Sequence, residues 1–378
     1  MRRKLLALVV GAVALGASAG PAMADDPVSG QLAEQVAGSL QSATSNANST
    51  QINPTNTNIS VRVLSPGNDG DVNQSNSSAA KSFAGNSNDT TQSAEQTQSG
   101  GAGGVGIQEA AQKAGNAQKA ESNAESKQVN PTNRNISVRV LSPGDGGSVN
   151  QSNESEAKSF AGNKNELSQD VTQDQSGGSM CCAPKPGYGD AKQGMHNGDK
   201  ACGCDSGVGI QAAGQEAFNA QKAESNAEST QIKPKNTNIS VRVLSPGNDG
   251  DVSQSNDSKA VSGAFNKNDT TQSIDQSQSS GRSRCGCSDG VGIQAAAQKA
   301  FNFQKADSNA ESKQIHPENK SLSVRFKSPN TAHREPVSKT APSYGDGGSL
   351  SQSNSSFAGS LAANRNSLYQ TLTQNQGS

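Results

Sequence analysis

Every second residue from Gln31 to Gln51 spells Gln, Ala, Gln, Ala, Ser, Gln, Ala, Ser, Ala, Ser, Gln. The same series, with Asn in fifth place, returns over Gln108–Gln128, Gln211–Gln231 and Gln294–Gln314. Ten of these eleven positions are identical in all four copies. Of the ten residues between them, only one (Asn46, Asn123, Asn226, Asn309) keeps its identity. A period of two specifies one face of an extended chain and leaves the other free. Composition alone would argue for disorder, because apolar residues are 30% and aromatics 3%, against roughly 45–50% apolar in an ordinary globular chain. The periodicity turns a low-complexity sequence into an all-β one.

The period sits inside a larger repeat. Units run over 31–98, 108–175, 211–278 and 294–376; the first three are 68 residues long. The fourth carries 15 extra residues between Ser328-Pro329 and Gly347, which places the insertion in a loop. Each unit opens with the Gln/Ala/Ser face. A short β-branched run follows, Asn58-Ile59-Ser60-Val61-Arg62-Val63 in unit 1, repeated at 135–140 and 238–243 and altered at 321–326. Asn53-Pro54-Thr55-Asn56 before it and Ser65-Pro66-Gly67-Asn68-Asp69-Gly70 after it are turn chemistry. A second alternating face closes the unit: Val72, Gln74, Asn76, Ser78, Ala80, Ser82, Ala84, Asn86, Asn88, then Gln92, Gln96 and Gln98. Such self-similarity decides architecture before any local propensity.

A helix is the rival for the Ala-rich start of each unit, as at Gln294–Ala300. A helix would hold residues spaced by three and four; here every second residue is held. At about 3.3 Å per residue the first face would extend near 70 Å, far beyond an ordinary strand of roughly 5–6 residues. The chain is therefore expected to bend while keeping its alternation, as a β-solenoid or a cross-β stack of four homologous units joined by Gly/Ser-rich linkers. In such stacks Asn and Gln amides form ladders between identical positions. A buried amide without a partner costs roughly 1–3 kcal/mol, so repetition supplies the partner. The expected ladder residues are Gln108, Gln112, Asn116, Gln118 and Gln128 in unit 2, and Gln211, Gln215, Asn219, Gln221 and Gln231 in unit 3.

This alternation, ending in Asn86-x-Asn88-x-x-x-Gln92, resembles the curlin-type repeats of secreted amyloid fibres. The resemblance implies a stack of short rungs, three to a unit, and an extracellular fibre. The Val-Arg-Val-Leu-Ser-Pro-Gly segment has no counterpart in those repeats.

Residues 1–24 read as a secretory signal: Arg2, Arg3 and Lys4, an apolar run from Leu5 to Ala17, and Ala22-Met23-Ala24 before the mature start. The run is shorter than the about 20 residues a membrane span needs, and no later stretch approaches it. Without residues 1–24, which hold three of the 32 Lys+Arg and none of the 33 Asp+Glu, the net charge is 29 − 33 = −4. That leaves no basic footprint for nucleic acid.

Cys181, Cys182, Cys202, Cys204, Cys285 and Cys287 all lie in two linkers, over 176–206 and 279–293. An even count in an exported chain favours disulfides or cross-links of open connectivity. A four-cysteine metal site is the alternative, and the Cys-x-Cys spacing counts against it because structural zinc prefers two to four intervening residues. Gly67-Asn68-Asp69-Gly70-Asp71 and 247–251 could hold calcium, but units 2 and 4 keep one carboxylate each, so tight turns are the better reading. His196, His316 and His333 are isolated, and no catalytic set recurs. Arg62, Arg139, Arg242 and Arg325 occupy one place in all four units; a stacked arginine row repels itself and is expected to face solvent or pair with acids.

The expectation is an exported structural protein, not an enzyme, that builds or decorates extracellular fibres, a surface layer or a matrix by self-association. It needs no cofactor, metal or small-molecule substrate. A monomeric solenoid adhesin using Phe218, Phe301 and Phe303, or a disordered secreted spacer, are the alternatives.

Overall fold

The computed structural model describes residues 28–100, 104–177, 207–279, 291–326 and 348–377. Each unit contributes three strands. Unit 1 gives β1 (Val28–Ile52), β2 (Thr55–Val63) and β3 (Val72–Gly100). Unit 2 gives β4 (Val105–Val129), β5 (Thr132–Val140) and β6 (Val149–Gly177). Unit 3 gives β7 (Val208–Ile232), β8 (Lys235–Val243) and β9 (Val252–Ser279). Unit 4 gives β10 (Val291–Ile315), β11 (Glu318–Phe326) and β12 (Leu350–Gly377). Among the described residues there is no helix.

Like strands stack on like strands. Three four-stranded parallel sheets run β1-β4-β7-β10, β2-β5-β8-β11 and β3-β6-β9-β12, in unit order. Every pairing is in register, so that Gln31 lies beside Gln108, Gln108 beside Gln211 and Gln211 beside Gln294. Each unit is therefore one rung rather than three. Nor does the long face bend: β1, β4, β7 and β10 are each 25 residues without interruption. Such a strand is normally limited by what can cover it. Here the chain turns once and lays its third strand, 28 or 29 residues long, along the first, so each arm covers the other.

The turn is built in two kinks. Asn53, Asn130, Lys233 and His316 take positive φ of 50–53°, each just before a Pro, and Leu64, Leu141 and Leu244 take 50–52°. The first kink shifts the inner face from odd residues, ending at Gln51, to even ones, beginning at Asn56. Gly144 and Gly247 have φ of 130° and 121°, and a Cβ on either would come within 2.2 Å of the carbonyl oxygen of the glycine one rung before. Glycine is required there both for its conformation and for the closeness of the stack.

The apolar core is mostly alanine. Ala84, Ala120, Ala161, Ala223 and Ala264 form one cluster and Ala80, Ala124, Ala157, Ala227 and Ala260 another. Larger side chains enter at the two ends of the arms, Leu167, Val171 and Ile274 toward the open end and Val149 and Val252 beside the turn.

Candidate functional site

The interior between the arms is polar and hydrogen-bonded. Gln108, Gln128, Gln211 and Gln231 are fully buried, and Gln112, Gln118, Gln215 and Gln221 nearly so. Gln211 Nε2 donates to Gln108 Oε1 at 2.9 Å and also to the Gln173 and Ser277 carbonyls. Gln215 reaches Gln112 Oε1 and the Ser273 carbonyl, and Gln221 reaches Gln118 Oε1 and the Lys267 carbonyl. Each amide thus bridges its neighbour along the stack and the opposing arm, which is what makes burial tolerable. Asn116 and Asn219 are less complete: Asn116 donates to Asn219 at 3.1 Å, while Asn116 Oδ1 and Asn219 Nδ2 are buried without a partner.

The ladders have a direction. Gln amides donate toward the preceding unit, as in Gln294 to Gln211 to Gln108 to Gln31. The five interior Asn columns that begin at Asn56, Asn58, Asn76, Asn86 and Asn88 donate toward the following unit. The arms are also staggered by half a rung. Gln35 of β1 donates to the Ser93 carbonyl of its own unit, whereas Gln92 of β3 donates to the Lys113 carbonyl of the next. The zigzag starts at β1 and ends at β12, whose inner face is exposed while that of β1 is half-covered.

The short strand inverts the usual distribution. Asn58, Ser60 and Arg62 face inward, while Ile59, Val61 and Val63 face solvent at 57–62% exposure. β-Branched residues suit a stacked outer pleat, and the inner positions are reserved for groups that find partners there. Arg139 and Arg242 are 1–2% exposed at the side chain. Asp69 accepts Arg62 Nε at 2.6 Å and Arg139 Nε at 2.9 Å. Asp249 does the same for Arg242 and Arg325. The arginines expected to face solvent or pair with acids take the second course. One aspartate from an odd unit serves two rungs, because Gly146 stands in unit 2 where Asp69 stands in unit 1. Burial opposes ionisation of Asp69, but the hydrogen bonds from Arg62 and Arg139 outweigh it and hold its pKa below the usual carboxylate value. Asp249 is held down likewise, burial being outweighed by Ser323, Arg242 and Ser240. With these carboxylates committed to guanidinium groups, and with Asp71 Oδ1 accepting the Ser148 N–H, the loops are turns locked by charge.

On the outer face, Lys119–Glu121, Lys222–Glu224 and Lys305–Asp307 form stacked exposed pairs. Sequence reasoning noticed the constancy of Asn46 but gave it no role. Asn226 donates to Asn123 and Asn123 to Asn46, an amide ladder on the exterior, and the signal was that single constant outward position. Phe218 lies beside Phe301 in register, both exposed. An open surface depression of about 390 Å³ between Gly38, Gly115 and Phe218 is lined by no titratable group. All six cysteines, His196, His333, the signal segment and the unit 4 insertion lie outside the described residues. Among the described residues no cluster of His, Cys, Asp or Glu could hold a metal ion, and no helix is long and apolar enough to cross a membrane.

No family model, curated protein or solved structure matches this chain.

Proposed function

We propose that this chain is an exported structural protein whose stacked β-rungs associate with further copies to build extracellular fibres, a surface layer or a matrix. The observation that carries the reading is the state of the two ends. Among the described residues, β1, β2 and β3 at one end and β10, β11 and β12 at the other are sheet edges with no further strand paired to them. Natural proteins blunt such edges with charges, bulges or prolines. Here the last rung repeats the ladder series of the interior unchanged, with Gln294, Gln298, Gln304 and Gln314 each seated on the glutamine below. An edge that offers an unaltered template is built to be paired. The secretory signal read at 1–24 and the curlin-like alternation support a role for that pairing outside the cell.

The test is self-association. Amide I infrared and sedimentation measured together over a concentration series should show particles that grow while the β-band persists. Fibres drawn from them should diffract at about 4.7–4.8 Å along the axis. A compact monomer at every concentration, with a full β-band, would transfer the reading to a monomeric adhesin.

A further inference from the structure

The two ends of the stack differ from one another, and we infer that they are the two halves of one joint. The unit 1 end of one copy docks on the unit 4 end of another, in register and with all strands parallel, so that the filament is polar. This rests on the fibre reading and adds to it the identity of the partner surface and its orientation.

The first observation is a set of acceptors that the last strand lacks. Gln92, Gln169 and Gln272 each donate to a first-arm carbonyl of the following unit, those of Lys113, Glu216 and Lys299. Gln96, Gln173 and Gln276 do the same to Glu109, Ala212 and Ala295. Their counterparts in β12, Gln370 and Gln374, sit on Gln272 and Gln276 of the rung below, and among the described residues no strand lies on their other side. In register, the residues that correspond to Lys113 and Glu109 are Val36 and Leu32 of β1. A second copy's β1 therefore brings the two carbonyls that Gln370 and Gln374 require.

The second observation is ladder polarity. Interior Asn columns donate upward and end at Asn319, Asn354, Asn364 and Asn366. At the other end they begin with the acceptor oxygens of Asn56, Asn76, Asn86 and Asn88. Gln columns donate downward, so they end in acceptors at unit 4 and begin in donors at unit 1. Unit 4 on unit 1 matches each of these Asn and Gln columns. Unit 1 on unit 1 sets acceptor against acceptor and donor against donor.

The third observation is phase. The interior column Thr90, Leu167, Thr270, Leu368 alternates by unit, as does the outer column Thr50, Lys127, Thr230, Lys313. The charges alternate too, because Asp69 joins rungs 1 and 2 and Asp249 joins rungs 3 and 4. Between rungs 2 and 3 the Arg242-to-Gly144 carbonyl bond repeats the Arg139-to-Gly67 carbonyl bond of rungs 1 and 2, but Gly146 holds the place of the bridging aspartate. The chain is thus two copies of a two-rung module, and a junction from unit 4 to unit 1 repeats the junction from unit 2 to unit 3. Arg62 arrives already neutralised by its own Asp69.

Two full-chain variants test this, each blocking one end with a proline. Asn53 donates its N–H to Val129, so along β1 the odd N–H groups serve β4 and the even ones face the free edge; Leu40→Pro removes one of the latter. Inner residues of the third arm donate to the following unit, as Val252 does to Ser349, so Ala358→Pro blocks the free edge of β12. Gln31→Lys and Gln374→Lys, both on inward ladder positions, are the second pair, used if infrared shows that a proline variant has lost its β-band. Each variant alone should stay monomeric in sedimentation, and an equimolar mixture should yield a one-to-one dimer that grows no further. Dimers of either variant alone, filaments from both, or a mixture that stays monomeric with its β-band intact would each overturn the joint. If both variants still form filaments, the fibre reading survives and lateral contact carries it. Failure of the unmodified chain to associate at any concentration overturns both.

Discussion

Arg139, buried to 1% exposure at its side chain, gives its Nε–H to the carboxylate of Asp69 at 2.9 Å, one rung before it in the stack. The same carboxylate holds Arg62, which is 30% exposed. Removing one partner of a buried pair costs about 3–5 kcal/mol, because the other charge stays behind. Asp69→Ala is therefore expected to lose about that much in urea unfolding. Arg139→Gln should lose distinctly more than Arg62→Gln, since water reaches the outer guanidinium. Equal losses for the two arginines would mean that Asp69 does not bridge rungs.

Acid should unlock the same site. The folded pKa values of Asp69 and Asp249 are lowered, so the unfolded chain binds protons first and stability falls with pH. The contribution is fully present above the unfolded carboxylate value of about 3.9 and is lost as pH falls through the lower folded value. The exposed pairs Lys119–Glu121 and Lys305–Asp307 add little, since such pairs give about 0–1 kcal/mol. Unfolding free energy is therefore expected to drop steeply below about pH 4, and the double variant Asp69→Asn with Asp249→Asn should show a flatter profile. An unchanged slope would place the acid sensitivity elsewhere.

Much of the architecture was open to reading in the residues, and the failures have physical causes. The alternate faces at Gln31–Gln51 and Val72–Gln98 are the interior ones because only a fixed neighbour satisfies a buried amide. The number of rungs per unit was not readable. Nothing local distinguishes one 25-residue strand from several short ones, since the difference lies in the third arm that covers it. For Arg62 and its repeats, pairing with acids was one of two expectations; which acid could not be read, because the aspartate that neutralises two of them at a time is seven and seventy positions away. The loss of Asp from the unit 2 loop read as missing ligands for a cation, when it marks the alternation of a two-rung module. Ile59, Val61 and Val63 resemble core residues, yet they lie outside because the kink at Asn53 changes the parity of the chain.

Ladder position should govern the cost of a lost amide. Gln221 bridges Gln118 below and Gln304 above and also reaches the Lys267 carbonyl. Gln221→Leu orphans groups on both sides, at roughly 1–3 kcal/mol for each buried one. Gln304→Leu at the last rung orphans groups on one side only and should cost less in the monomer. Once filaments form, both positions become interior and the gap should close, read as matching midpoints for disassembly in denaturant. A gap that persists in the assembled state would mean that unit 4 is not covered there.

The alanine columns should set how closely the arms approach. Ala223 is fully buried against Ala84, Ala120, Ala161 and Ala264. Parallel in-register stacking leaves a larger side chain nowhere to turn, because the positions above and below it on the column are the same residue. Ala223→Leu is therefore expected to cost about 1–3 kcal/mol by overpacking, with a broadened amide I band as the arms separate. Its neighbour Lys222 points outward, and unit 1 already carries Ser42 in that column. Lys222→Ser should stay within about 0.5 kcal/mol of the unmodified chain, since the exposed Lys222–Glu224 pair adds little. Adjacent residues differing this widely in tolerance are what a period of two demands. If Ala223→Leu unfolds at the same midpoint as Lys222→Ser, the narrow alanine seam is not what holds the two arms together.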